Sequence, residues 1–220
     1  MNRKKTCLFN QFLLFWLKMK ETNCSRLETL FARNGGFITR KQVDAENIQS
    51  WFLTDFIRRK NLLKIDKGFY ADEEWVRDDF FVFQYKYPRF VFSFTSALFL
   101  HGLTDALPAM LEISGPKNYR PFSPDGSVII HSISNEEIYQ LGQAKLKTNL
   151  GNEVLAYDVE RTICDLVKNT NRVDSEIYTK AIHAFVKRKD RDVEKLMRYS
   201  RTMGVESKVS NLMMVLTNED

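Results

Sequence analysis

The sequence predicts an α+β protein: an N-terminal winged helix-turn-helix, then a small mixed sheet, then a C-terminal helical bundle. Three observations predict it. The stretch Ser25–Asp72 reads as three short helices followed by a tight basic hairpin. Residues 1–72 hold 14 Lys/Arg against 7 Asp/Glu, while residues 73–220 hold 19 against 21. The net charge of +5 therefore comes entirely from the N-terminal third. From Asp158 onward, apolar residues at helical spacing recur with capping residues between them. The predicted divisions are an extension over 1–22, the winged helix over 23–72 and an α+β body over 73–220.

In the extension, Arg3-Lys4-Lys5 and an apolar run from Cys7 to Leu17 imitate a signal-peptide start. Asn10 and Gln11 interrupt the run, Lys18 and Lys20 follow it, and no small-residue cleavage site appears. The run is too short to span a bilayer. Phe9, Phe12, Leu13 and Trp16 fit an amphipathic helix that packs on the body, mediates dimerisation or touches a membrane surface, with packing favoured over the membrane. The other reading is a translation start at Met19. Cys7, Cys24 and Cys164 form no C-x-x-C pair. They suggest neither a disulfide framework nor a zinc site, and they suit a reducing cytoplasm.

Leu27, Leu30 and Phe31 form one stripe of the first helix, which Gly35-Gly36 ends. Thr39 with Gln42 has capping-box spacing and starts a second helix, Arg40 to Ala45. A third helix covers about Gln49 to Lys60. It buries Leu53, Phe56 and Ile57 and exposes Ser50, Trp51, Thr54, Asp55 and Arg58. Leu63, Ile65 and Phe69 alternate around the turn Asp66-Lys67-Gly68, a two-stranded wing with one buried face. A short helix followed by an exposed one is the arrangement that seats a recognition helix in a major groove. Concentrated basic charge on that module is the electrostatic footprint of DNA binding. Ser50, Trp51, Thr54 and Arg58 are the candidate groove face. Arg40, Lys41, Arg59, Lys64 and Lys67 are the candidate phosphate contacts. The competing reading is a winged helix that binds protein, which exposed apolar residues such as Trp51 would favour.

After the wing, Asp72-Glu73-Glu74 reads as an acidic helix start and Trp75 to Tyr87 as an aromatic helix stopped by Pro88. Arg89 to Phe92 is a short buried strand. Ser93 is expected to cap a helix from Thr95 to His101, which Gly102 closes. Leu111–Ser114 and Ser127–Ser132 are β-rich, and Gly151-Asn152 joins two further strands, Ala144–Thr148 and Glu153–Tyr157. Lys117, Tyr119 and Arg120 form a small basic-aromatic loop, read as solvated. Asp158 caps Val159 to Asn169, Asp174 caps the next helix, and Asp192–Met203 and Val205–Leu216 close the bundle. The charged joint Lys187-Arg188-Lys189-Asp190-Arg191 lies between helices.

At several of these places the chain resembles the AbiEi family of type IV toxin–antitoxin antitoxins. The resemblance lies in Leu27-x-x-Leu30-Phe31…Gly35-Gly36-x-Ile38-Thr39 and in Lys67-Gly68-Phe69-Tyr70. It continues in Phe92-Ser93-Phe94-Thr95-Ser96-Ala97-Leu98-Phe99-Leu100-His101-Gly102-Leu103-Thr104. Its last part is Tyr157-Asp158-x-Glu160-Arg161-Thr162-Ile163-Cys164-Asp165-Leu166. It runs from about Asn23 to Leu216. It implies an antitoxin that represses its own operon through the winged helix, on operator DNA with inverted repeats and with self-association there. It also implies a functional partner, a nucleotidyltransferase-like toxin, countered without a stable complex. The chain departs from the pattern at Asp55, where a basic residue is common, at Trp51, and after Lys60, where glycine is frequent.

Asp158, Glu160, Arg161 and Asp165 are the densest polar set with catalytic potential, since clustered carboxylates can hold a divalent metal. On a helix Glu160 and Asp165 do not share a face, so the expected roles are a cap at Asp158 and an ion pair at Arg161. His101 is expected to serve a helix terminus, and His131 and His183 to be structural or solvated. No Walker loop, G-x-G-x-x-G, H-E-x-x-H or nucleophile elbow is present. The expectation is a non-enzyme with no cofactor, no bound metal and no membrane partner. The alternative is a nucleotide- or nucleic-acid-processing enzyme using Asp158, Glu160 and Asp165.

Overall fold

In the computed structural model, which describes residues 19, 21–119 and 128–217, a first helix (α1) covers 21–33. Gly35 and Gly36 end it with φ of 70° and 97°. Gly36 is required for a second reason: a Cβ there would lie 2.6 Å from Asp72 Oδ2, while the Asp72 amide donates to the Gly36 carbonyl. The chain continues into a short buried strand, β1 (Phe37–Thr39), absent from the sequence reading. The Thr39 hydroxyl accepts from the Gln42 amide, and Gln42 returns the bond to the Thr39 amide. That capping box starts α2 (Arg40–Ala45). Asn47, with φ of 55°, turns the chain into α3 (Ser50–Lys60). Asn61 ends α3 in the left-handed conformation (φ 52°, ψ 42°). Asn is the residue that tolerates this best after glycine.

β2 (Leu63–Asp66) and β3 (Phe69–Ala71) form the hairpin, and the antiparallel order is β1-β3-β2. The register slips between Lys64 and Asp66. This overturns the expectation that Leu63, Ile65 and Phe69 share a buried face: Phe69 is buried, Ile65 is half-buried and Leu63 is 50% exposed. Leu62 is buried in its place. Leu27, Ile38, Val43, Phe52, Leu53 and Phe56 form the core.

The chain divides into two compact units, the first ending at Arg77 and the second beginning at Asp78. Residues 73–77 are not helical, and Asp72-Glu73-Glu74 starts no helix. The Trp75 ring instead packs against Phe37 and Phe69 at 5.7 and 5.3 Å between ring centres. The aromatic helix is shorter than expected, α4 (Asp79–Lys86), capped by Asp78.

In the second unit, α5 (Phe94–Leu100) follows β4 (Val91–Phe92). Ser93 occupies the N-cap position, but its side chain makes no cap bond; Ser114 Oγ donates to it instead. The remaining strands are β5 (Leu111–Pro116), β6 (Val128–Ile133), β7 (Gln143–Lys147) and β8 (Glu153–Tyr157). They build a mixed five-stranded sheet in the order β6-β5-β4-β8-β7. A short helix, α6 (Glu136–Gln140), which the sequence reading lacked, is capped by Asn135. α7 (Val159–Lys168), α8 (Ser175–Lys187), α9 (Val193–Thr202) and α10 (Glu206–Thr217) follow, the first three capped by Asp158, Asp174 and Asp192. They pack with α5 around Leu98, Ile163, Leu166, Phe185, Leu196 and Val209. Phe80, Phe92, Ile113 and Ala156 form a second core on the sheet. Among the described residues no helix is long and apolar enough to cross a membrane. The apolar set Phe9, Phe12, Leu13 and Trp16, the thiol of Cys7 and the loop residue Arg120 lie outside the described residues.

Candidate nucleic-acid interface

Burial of Phe52, Leu53 and Phe56 against α1 and β1 orients α3. The opposite side is left to Ser50, Trp51, Thr54 and Arg58, all exposed. Ser50, Thr54 and Arg58 lie four apart and so line up along the helix. The Thr54 hydroxyl donates to the Ser50 carbonyl at 3.2 Å, which leaves its oxygen lone pairs facing outward as acceptors. Trp51 stacks on Phe52 and its indole N–H donates to Gln49 Oε1 at 2.7 Å, so the ring is held by its own helix while remaining exposed.

Asp55 takes the adjacent arginines together. Its Oδ1 accepts from Arg58 Nη2 at 3.2 Å and its Oδ2 from Arg59 Nε at 3.1 Å. Arg58 is nevertheless 83% exposed, whereas Arg59 also donates to Cys24 Sγ of α1. Arg59 is thus turned towards α1, away from the line of Ser50, Thr54 and Arg58. On α2, Arg40 pairs with Asp44 at 2.8 Å and Lys41 is exposed. The Arg40 amide donates to the Gly68 carbonyl at 2.7 Å, which ties the start of α2 to the tip of the hairpin. Lys64 and Lys67 are exposed on that hairpin, and no described acid pairs with either ammonium group.

The candidate carboxylates are engaged in bonds within the fold: Asp158 and Glu160 share Lys195, and Asp165 pairs with Arg161. Asp158 Oδ1 caps α7 at the Arg161 amide, and its Oδ2 meets Lys195 Nζ at 3.1 Å and the Tyr199 hydroxyl at 3.2 Å. Glu160 is buried; it pairs with Lys195 at 2.7 Å and accepts from the Asp192 amide at 3.1 Å. Burial pulls the Lys195 ammonium down, but the bonds from Glu160 and Asp158 outweigh it and hold the group above its ordinary range. Arg161 Nε donates to Asp165 at 3.1 Å, and its Nη1 donates to the carbonyls of Ile138 and Leu141. Burial pushes the Asp165 carboxyl up to about 6 against the pull of Arg161. Burial also raises the Cys164 thiol to about 12, which makes it inert. Among the described residues no three of His, Cys, Asp and Glu are grouped to hold a metal.

The histidines have specific partners. The expected helix-terminus residue His101 closes α5 with its backbone, while its ring Nε2 bonds the Tyr157 carbonyl at 2.7 Å and joins α5 to β8. Burial, helped by Arg188, lowers the imidazole from its ordinary value and outweighs the Tyr157 bond, which raises it. His131 stacks on Phe94 and meets Glu112 at 2.8 Å, and Glu112 also accepts from Thr95. Tyr119 packs on Phe90 and belongs to the second core rather than to an open loop. Sequence reading missed Lys195, Tyr199, Glu112 and Thr95, because their partners are far along the chain and no local spacing signals them.

No protein-family model matches the chain, and no curated protein matches it. Among solved structures, one match is the crystal structure of the RV2827C protein from Mycobacterium tuberculosis. The two share 13% identity over 88% of this chain and 81% of that one, with a TM-score of 0.42.

Proposed function

We propose that this chain is a DNA-binding antitoxin that represses its own operon, with residues 23–72 acting as a winged helix-turn-helix. The observation that carries the reading is the pairing of two features in one small unit. One is the exposed polar line Ser50, Thr54 and Arg58 on α3. The other is the basic hairpin tip, tied to α2 through Arg40 and Gly68. α3 enters the major groove, and Lys41, Lys64 and Lys67 take flanking phosphates. Phosphate contacts position the module and base contacts specify its site. The operator is an inverted repeat bound by self-associated copies, because symmetric half-sites mirror symmetric protein. The antitoxin assignment is supported by the four motifs that resemble the AbiEi family. Its functional partner is a nucleotidyltransferase-like toxin, and its working place is the cytoplasm. Asp158, Glu160 and Asp165 are engaged by a cap, a lysine and an arginine, and no catalytic step is assigned to them.

Binding of the purified chain to its own promoter and to a shuffled duplex, across a salt series, tests the DNA half. Tight, salt-steep binding to the promoter with much weaker binding to the control is the expected result; equal weak binding to both rejects it. Co-expression with the toxin of the neighbouring reading frame tests the other half, with rescue of growth expected. A second reading is favoured by one observation: Trp51 and Leu63 are both exposed on the first unit. It makes the module a protein-docking surface, and equal weak DNA binding would bring it forward.

A further inference from the structure

We infer that Asp55 sets the base preference of α3, by fixing the Arg58 guanidinium so that Arg58 reads guanine. This rests on the DNA-binding reading above and adds to it which residue chooses the base. Asp55 is the single acid of α3, lies at its middle and is 22% exposed. Isolated exposed ion pairs add little, but Asp55 is itself mostly covered and bridges two guanidiniums at once, so it restricts where both can lie. One carboxylate sorts two neighbouring arginines, sending Arg59 towards Cys24 of α1 and leaving Arg58 83% exposed.

Arg58 is held by one terminal nitrogen, which leaves its other N–H groups for a ligand. Its planar fork matches the O6 and N7 acceptors of guanine in the major groove, the commonest specific contact in DNA recognition. A phosphate is a poorer match. The nearby carboxylate repels it and cancels the charge that attracts it. A base edge bears no net charge and suffers less of that repulsion. Asp55 therefore biases Arg58 from backbone to base. Asp55 is a positioning residue, and Arg58 is the one that touches DNA.

The test is selection of binding sites from a randomised duplex library by the full chain, by Asp55→Asn and by Arg58→Ala. The natural chain should enrich sites with a fixed guanine. Both variants should lower preference at that position by about tenfold and leave the other positions unchanged. Asp55→Asn should also bind an unrelated duplex at least as tightly, having lost a negative charge. Unchanged guanine preference in Asp55→Asn overturns the inference and leaves the DNA-binding reading intact. So does an enriched site without guanine, or an equal loss at every position with a lower melting temperature, which would make Asp55 part of the scaffold. A natural chain that enriches no sequence overturns both.

Discussion

Arg161 heads the fully buried side chains by size, and every direction around it is occupied. Its guanidinium lies over the Tyr157 ring, pairs with Asp165 and takes two carbonyls at the end of α6. Gly142 is required beside it: at φ 75°, a Cβ there would meet Arg161 Cβ at 2.6 Å. Arg161→Ala should lower the stability of the second unit by about 3–5 kcal/mol, since it strands a buried carboxylate. Arg161→Lys should recover only part, lacking the fork that reaches both carbonyls. Urea unfolding followed by circular dichroism measures both. Two other residues give opposite pH limbs. His101 is lowered by burial, so its contribution is present above about 6.5 and is lost as pH falls. Asp165 is raised, so its contribution is full below its ordinary value of 3.8 and is lost as pH rises through about 6. His101→Gln should flatten the acid limb of the urea midpoint and Asp165→Asn the neutral limb. A midpoint profile that neither variant changes would rule out both assignments.

At the scale of elements, the hairpin β2–β3 carries the clearest expectation. Lys64→Ala with Lys67→Ala should weaken binding to every duplex alike and reduce the salt slope by about one unit per lost contact. An unchanged slope would remove the hairpin from the interface. Elements with local chemistry at their ends were legible: Thr39 with Gln42, and the aspartates at 158, 174 and 192, announce their helices through short-range bonds. The exposed side of α3 was legible in part: helical spacing separates Ser50, Thr54 and Arg58 from Leu53 and Phe56, but the third buried residue is Phe52, and the expected Ile57 is only half-buried. Elements decided by distant partners were not. Trp75 sits in an aromatic run that mimics a helix, but Phe37 and Phe69 draw it out of one. A single bulge at Ile65 breaks the alternation of the hairpin, and Leu63 is exposed although it lies opposite buried Ala71; spacing foresees neither. The clustering of Lys195 with Asp158 and Glu160 depends on how α7 and α9 pack, and no spacing encodes it.

At the scale of the whole molecule, the division after Arg77 matches the division of charge, because the basic excess and the candidate interface both lie in the first unit. That unit has its own core in Leu27, Ile38, Val43, Phe52 and Phe56. A fragment ending at Arg77 should therefore fold, marginally for its size, and keep the promoter binding and salt slope of the full chain. A fragment beginning at Asp78 should bind no duplex. Gel-shift titration of the two fragments checks both, and duplex binding by the second would move the interface out of the first unit. The second unit has a different history during synthesis. Its central strand, β4, is only two residues long and emerges first, yet one neighbour is β8, with Phe92 opposite Ala156. Until Tyr157 has left the ribosome, β4 has one side without its strand. The nascent chain then carries Val91 and Phe92 on an unfinished edge, and the shortness of that edge limits what another chain could pair with. The sheet of the second unit therefore closes late in synthesis, only once β8 can reach β4.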